Sequence, residues 1–385
     1  MSRLKINLNG ASYANQSLAA FRTFVFNFIA IKELDPNDFR VWFVVIGVAF
    51  SISAFARSGI LEPFLLGVCS IRNVSKFLFA ILLLTAPITS IIFFLTFQIS
   101  FMSCILLTLG VKLLLIAELP KYFQYVNDGK KLFRIELLST LSLASLPLLL
   151  TQFNQEWKFP LLIMFQLFLI PLFNILYLLP TALNQLTLMK GNAVEDIIAL
   201  KRFSGIAFFS MIFSQASILI FQSVLLIDDL RILKSIETIL SPFRSLSTQV
   251  WTRHLLRRDY ELIGKRKIIS GMFIFSFLAI PQLVGFLYFF SADPLGGGSL
   301  LLLYQAGMLL SLISFSPRIE LMLRQQFSAL VAISYWHLVL SSIYILGQGE
   351  KYSILILGIL FNFGLVLNVF FSKLLTQSKP LNKEG

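Results

Sequence analysis

The sequence has few charged residues, few histidines and few cysteines. Charged side chains make up 13% of the 385 residues, whereas soluble domains carry about 25%. A soluble domain is therefore excluded, and the mean hydropathy of +0.82 indicates a polytopic membrane protein. The two cysteines, Cys69 and Cys104, have no metal-ligand spacing. They support neither a disulfide framework nor a zinc site, so no metal is expected.

Enzymatic signatures are also absent from the sequence. It contains no zinc-protease, serine-hydrolase or phosphate-loop motif, and no pair of carboxylates within a predicted span. His254 lies in a basic loop, and His337 lies in a hydrophobic stretch where a histidine usually packs between helices. The loops predicted outside the cytoplasm are short. We therefore expect a transporter that uses no cofactor, and not an enzyme.

The positions of charged residues divide the sequence into predicted membrane spans. The first runs from Ala11 to Ile31, and the second from about Phe39 to Ile60. The uncharged stretch from Phe77 to Val111 is too long for one crossing of a hydrocarbon core about 30 Å thick, so it should turn back near residues 98–101. Its second helix should end near Glu118, before a polar segment at 120–136. Further spans are expected at about 137–152, 159–180, 203–227, 230–251, 268–292, 294–317, 325–349 and 352–372.

These spans predict an all-α polytopic membrane protein with about twelve transmembrane helices in two six-helix lobes around a central cavity. The lobes are 1–180 and 203–385, and the cytoplasmic linker 181–202 has the composition of an interfacial helix. Most of the 32 lysines and arginines fall on one side if both termini are cytoplasmic, as the positive-inside rule requires. The net charge of +13 then indicates anionic lipid or an anionic substrate, and no nucleic acid.

An arginine interrupts the first predicted span. Arg22 lies near its midpoint, about 16 Å from either boundary at 1.5 Å per residue. An arginine at the bilayer centre costs at least about 2.5 kcal/mol, so we exclude an unpaired side chain that faces lipid. Two interpretations stay open: Arg22 is a structural lock bonded to a neighbouring helix, or it lines a polar cavity. Lys112 and Arg244 are further cations within predicted spans, and Arg57 lies at a helix mouth.

Two predicted helices also carry polar faces. The candidate cavity-lining residues are Asn15, Gln16, Thr23 and Asn27 in the first span, Ser210, Ser214, Gln215, Ser217 and Gln222 in the seventh, and Glu237 in the eighth. Each also has the alternative role of a hydrogen bond between helices. Glu237 is the only carboxylate placed within a span, and it lies near the outer end. The deep cations therefore lack a deep carboxylate, which favours an anionic cargo such as a diphosphate.

Several short motifs carry a resemblance to a known group of proteins. They are the connection Leu34-Asp35-Pro36-Asn37-Asp38-Phe39, the sequence Ala56-Arg57-Ser58-Gly59 with Glu62-Pro63, the segment Lys121-Tyr122-Phe123, and the polar first span with Arg22. With these, the chain resembles the polysaccharide-transporter branch of the multidrug/oligosaccharidyl-lipid/polysaccharide (MOP) flippase superfamily, which contains the Wzx-type O-antigen flippases. Arg40 departs from the pattern, because relatives often have glycine there.

The resemblance implies a flippase that moves a polyprenyl-diphosphate-linked oligosaccharide across the cytoplasmic (inner) membrane for surface polysaccharide biosynthesis. The implied partners are this lipid-linked substrate, membrane lipids, a polysaccharide polymerase and glycosyltransferases. The lipid II flippase branch similarly places arginines in its first, second and eighth helices, and Arg22, Arg57 and Arg244 lie in matching helices here; Lys112 joins them as a candidate diphosphate ligand. Two alternatives stay open: a cation-coupled multidrug exporter that depends on Glu237, and a membrane polysaccharide polymerase or glycosyltransferase.

Overall fold

The described part of the chain is helical. The computed structural model describes residues 10–56, 83, 86, 87, 89–91, 93, 94, 101–127, 129–177, 227, 228, 230–236, 238, 239, 367 and 370. The chain divides into two compact units, Met1–Ile218 and Leu219–Gly385, and every helix described over its full length lies in the first. The predicted linker at 181–202 falls outside the described residues, so it stays a prediction.

The first two helices form a hairpin with a very short connection. Helix α1 runs Gly10–Glu33 and covers the whole predicted first span, and α2 runs Pro36–Ala56. Asp35 caps α2, because its Oδ1 accepts a hydrogen bond of 2.8 Å from the backbone N–H of Asp38. Pro36 occupies the first helical position, where its missing N–H would have no partner in any case. The start of α2 therefore lies slightly before the predicted Phe39.

Helices α3 and α4 differ most from the sequence-based expectation. Helix α3 runs Phe101–Asn127, and its start agrees with the predicted turn near residues 98–101. Helix α4 runs Gly129–Gln152, whereas the prediction began it at residue 137 and assigned 120–136 to a polar connection. That assignment is wrong for the helical residues of the segment. Charged residues mark where a helix leaves the hydrocarbon, and the helix itself continues beyond that point.

A π-helical segment interrupts the next helix. Helix α5 runs Gln155–Ile163, continues as the π segment Met164–Leu169 and is helical to Tyr177. Trp42 Nε1 of α2 donates a buried hydrogen bond of 3.2 Å to Gln166 Oε1. A Cβ on Gly110 of α3 would lie 2.9 Å from Leu167 Cβ, so only glycine lets α3 approach the π segment this closely.

The ion pair at one end of α1 establishes the relative directions of these helices. Lys158 Nζ lies 2.6 Å from Glu33 Oε2, and Gln155 Nε2 donates a hydrogen bond of 2.8 Å to the Glu33 carbonyl. The last turn of α1 and the first turn of α5 therefore meet. Because α4 ends at Gln152, just before α5, α4 runs parallel to α1. The two pack more extensively than any other pair of described helices.

Two helical stretches among the described residues have the length and hydropathy of membrane spans. Phe133–Gln152 and Gln155–Tyr177 are long and apolar enough to cross a membrane, and Phe101–Ala117 is a shorter apolar helix. Large apolar side chains are exposed along α3 and α4: Phe101, Met102, Leu106, Leu109, Leu137, Leu138, Leu141 and Leu148. Exposed apolar side chains in this number require a cover, which lipid supplies in a membrane protein.

Candidate functional site

The candidate site centres on an ion pair between α1 and α4. Arg22 Nη1 donates a hydrogen bond to Glu136 Oε2. Both residues are buried, with 9% of Arg22 and 2% of Glu136 exposed. Side chains on a helix lean towards its N-terminus, so the long arginine reaches back along α1 to a glutamate in the first half of the parallel α4. The pair therefore joins the two most extensively packed of the described helices.

Glu136 overturns one sequence-based expectation. The inference that no buried carboxylate accompanies the deep cations is wrong for Arg22, since Glu136 neutralises it. Sequence reasoning missed Glu136 because it placed this residue in the polar connection before the helix. A signal existed: Glu136, Ser139, Leu143 and Leu146 recur at intervals of three and four, and all four are buried. This spacing extends the buried face of α4 back beyond the apolar run.

The guanidinium of Arg22 keeps unused hydrogen-bonding capacity. A guanidinium has five N–H donors on three nitrogens. The contact with Glu136 uses Nη1, and Nε and Nη2 donate to no residue in the described part of the chain. A second acceptor with two oxygens, such as a phosphate, fits the fork of donors that remains. Arg22 is therefore locked to a neighbouring helix and still equipped to bind an anion.

The predicted polar face of α1 is turned into the first unit. Asn15 and Asn27 are buried, with 2% and 3% exposed. Thr23 Oγ1 donates to the Ala19 carbonyl at 3.0 Å, so its own helix satisfies this hydroxyl. Among the described residues, none donates a hydrogen bond to Asn27 Oδ1. The side chain of Gln16 lies outside the described set. Packing explains Thr23, whereas Asn27 keeps a buried acceptor.

Lys112 is a second cation within an apolar stretch of helix. It lies about 16 Å along α3 from Phe101, within the apolar stretch Phe101–Ala117, and is half-buried. No side chain in the described ranges forms an ion pair with it. One turn earlier, the buried Thr108 Oγ1 donates to the Cys104 carbonyl and lies 2.8 Å from Ser90 Oγ. The hydroxyls of Thr108 and Ser90 therefore place further polar groups about one turn of α3 before the lysine.

Acidic groups gather where α1 meets α2. Glu33 pairs with Lys158, and Asp35 and Asp38 follow in the connection and the first turn of α2. Burial raises the pKa of the Asp38 carboxyl above its ordinary value, and the nearby charge of Asp35 raises it further. This end of the first unit is thus a charged cluster, separate from the Arg22–Glu136 pair.

The remaining predicted site residues cannot be placed. Arg57, Arg244, Ser210, Ser214, Gln215, Ser217, Gln222 and Glu237 lie outside the described residues. Described positions between Leu230 and Ile239 are helical, which agrees with the predicted eighth helix. The joint role of Arg22 and Arg244 therefore stays a prediction. Within the described ranges, no three histidine, cysteine, aspartate or glutamate side chains form a group that fits a metal ion.

Comparisons with known proteins bear on the fold. No protein-family model matches the sequence, and no curated protein matches it. Solved structures do match over nearly the whole chain. An outward-facing multidrug resistance MATE family transporter of the MOP superfamily is 13% identical, with a TM-score of 0.60 over 98% of this chain and 95% of that one. The chain shares the fold of MATE transporters.

Two further structures agree. MATE in the bent conformation is 11% identical, with a TM-score of 0.59 over 96% of this chain and 94% of that one. MATE in complex with Br-NRF is 12% identical, with a TM-score of 0.56 over 98% and 95%. At this identity the likeness concerns the fold alone. The likeness confirms the predicted all-helical fold as one of the MATE type. Membership of the MOP superfamily and of its polysaccharide-transporter branch stays a prediction.

Proposed function

We propose that this protein is a flippase that moves a polyprenyl-diphosphate-linked oligosaccharide from the cytoplasmic to the outer leaflet by alternating access. The MATE-like fold supports a transporter. The observation that carries the anionic cargo is Lys112, a half-buried cation within the apolar stretch Phe101–Ala117 that forms no ion pair with a described side chain. A lysine held this way favours an anion that enters from outside the protein.

In this proposal the four cationic side chains bind the diphosphate at different stages. Lys112, Arg22 and Arg244 bind its oxygens, and Arg57 captures the headgroup at the cytoplasmic mouth. The glycan lies against the polar residues Asn15, Gln16, Thr23, Asn27, Ser214, Gln215, Gln222 and Glu237. The lipid tail stays in the bilayer. The protein lies in the cytoplasmic (inner) membrane with both termini cytoplasmic, and works with glycosyltransferases and a polymerase.

A transport assay with a fluorescent polyprenyl-diphosphate sugar in proteoliposomes tests the proposal. Lys112→Gln should slow the movement at least about tenfold, because it removes a charged hydrogen bond of about 1.5–3 kcal/mol. Lys158→Gln is the matched control, since Lys158 is paired at the end of α1, and should stay within about twofold. Arg22→Ala is a weaker test, because it also removes the buried ion pair with Glu136 and so changes stability as well as binding. Wild-type speed in Lys112→Gln, or a wild-type protein that does not move the lipid, contradicts the proposal.

A second candidate is a cation-coupled exporter of small molecules. The observation that favours it is Glu136, a carboxylate buried in the first unit, where exporters of this kind usually need an intramembrane acid. A drug-driven proton or sodium flux that Glu136→Gln or Glu237→Gln abolishes would support the exporter. Flux without any dependence on either glutamate would contradict it, and movement of the lipid-linked sugar would favour the flippase.

A further inference from the structure

The pairing of Arg22 raises the question of how an anionic cargo reaches this arginine. One oxygen of Glu136 contacts Nη1 of the guanidinium. A carboxylate and a phosphate present the same kind of charged acceptor to a guanidinium. A diphosphate on Arg22 would place a second anion beside Glu136, in surroundings that leave only 2% of the glutamate exposed. Two anions cannot share this buried site without strong repulsion, so they exclude each other.

We propose that Glu136 is an internal competitor for the cargo. Its carboxylate holds Arg22 while the protein is empty, and the diphosphate displaces it from the guanidinium when cargo binds. The inference rests on the proposed function, because it takes the cargo to be anionic. Glu136 acts here as a positioning residue: it touches Arg22, and it affects the cargo through that contact.

The other donors of Arg22 allow the diphosphate to replace Glu136 as its partner in two steps. Nε and Nη2 of Arg22 bond to no residue among those described, so a phosphate can first occupy these donors. The single contact through Nη1 then breaks. Release reverses the order, and Glu136 recaptures the arginine. An internal competitor lowers the affinity for the diphosphate and speeds its release, and a transporter must release its cargo on the far side.

Other charged groups on the helices around α4 are placed differently. Lys32, Glu33 and Lys158 lie where α1 ends and α5 begins, and Glu156 lies in the same first turn of α5. Lys112 on α3 forms no ion pair with a described side chain. The pair at Glu33 therefore supplies a matched control, since it also joins a glutamate to a cation but is partly exposed.

Calorimetric titration of the full chain in detergent with inorganic diphosphate tests the competition. Glu136→Gln keeps the size of the side chain and removes its charge, so it should lower the Kd for diphosphate about tenfold, the difference between displacing a charged and a neutral hydrogen bond. Glu33→Gln should leave the Kd within about twofold. In proteoliposomes, Glu136→Gln should lower both KM and kcat for the labelled lipid, because binding tightens and release slows. A purely structural role for Glu136 would not lower KM.

Each outcome decides the point. A folded Glu136→Gln protein with an unchanged or larger Kd overturns the inference. If that variant does not fold, Glu136→Asp keeps the charge but shortens the side chain, and should lower the Kd about twofold to threefold; an unchanged Kd overturns the inference. Wild-type protein that moves the lipid, with no effect of Glu136→Gln on the Kd, refutes the competitor alone. Failure to move the lipid refutes the proposed function, and a tightened Kd would then still assign Arg22 to another anion.

Discussion

Neutralising the Arg22–Glu136 pair one residue at a time gives the sharpest test of the structure. The perturbation is a double-mutant cycle with Arg22→Gln, Glu136→Gln and the double variant. Each single change leaves one charge in surroundings where its residue is almost fully buried, 9% exposed for Arg22 and 2% for Glu136. Removing one partner of a buried ion pair typically costs about 3–5 kcal/mol, because the other charge is left without compensation.

The double variant should behave differently from either single one. Two neutral amides retain one hydrogen bond of about 1 kcal/mol and leave no buried charge. Replacing both members of a buried pair by uncharged groups is often neutral for stability. We therefore expect the double variant to lose about 2 kcal/mol or less. The two single effects should then fail to add, with a coupling energy of several kcal/mol between Arg22 and Glu136.

The assay is reversible unfolding of the full chain in mixed micelles, with the free energy of unfolding measured for the four proteins. The control cycle is Glu33→Gln with Lys158→Gln, because that pair is 41% exposed at its glutamate side chain. Partly exposed pairs contribute about 0–1 kcal/mol, so the control should show little coupling. Additive losses at Arg22 and Glu136, or equal coupling in the two cycles, would refute the claim that these side chains form a buried pair.

Three further predictions concern the frame around the site. Gly110→Ala places a Cβ 2.9 Å from Leu167 Cβ and should cost about 1–3 kcal/mol of unfolding free energy, whereas an unchanged value would mean that α3 lies further away. Trp42→Phe leaves the buried Gln166 Oε1 without its donor and should cost about 1–3 kcal/mol, and Gln166→Leu added to it should recover part of that loss. The pKa of the Asp38 carboxyl is raised above 3.8 in the folded protein, so its contribution to stability is present below that pH and declines as the pH rises through the raised pKa. Asp38→Asn should abolish this decline. A stability profile of the variant that runs parallel to the wild-type profile would contradict the prediction.

The sequence predicted some helix boundaries well, for identifiable physical reasons. The first span was expected at 11–31, and α1 runs Gly10–Glu33, because a stretch of membrane length with Arg22 as its one charged residue ends at Lys32. The start of α2 carries its own signals, an aspartate cap at Asp35 and proline at the first helical position. Arg22 was expected to avoid lipid because of its desolvation cost, and it is buried.

Other features have no local signal. The residues of the π segment, MFQLFL, do not differ in composition from an ordinary membrane helix. Its surroundings include the Trp42–Gln166 hydrogen bond and the close approach of Gly110, which are contacts between distant parts of the chain. Glu136 lies 114 positions from Arg22, so no spacing rule pairs them. Charge alone placed Glu136 at the membrane edge, whereas its position on the buried face of α4 depends on tertiary packing.

The two interpretations of Arg22 need not exclude each other. An arginine required for an anionic cargo must also be tolerated when the cargo is absent, and an unpaired guanidinium at bilayer depth costs at least about 2.5 kcal/mol. An internal carboxylate removes that cost in the empty protein, and the single contact through Nη1 leaves the other nitrogens of Arg22 available. Under the proposed function, the same side chain is a lock between α1 and α4 while the protein is empty and an anion ligand when cargo arrives. Lys112 on α3 lacks such a carboxylate among the described residues and is only half-buried. Burial therefore costs the lysine less than the more deeply buried arginine in the empty protein, and only the arginine has a carboxylate such as Glu136 among the described residues to offset that cost.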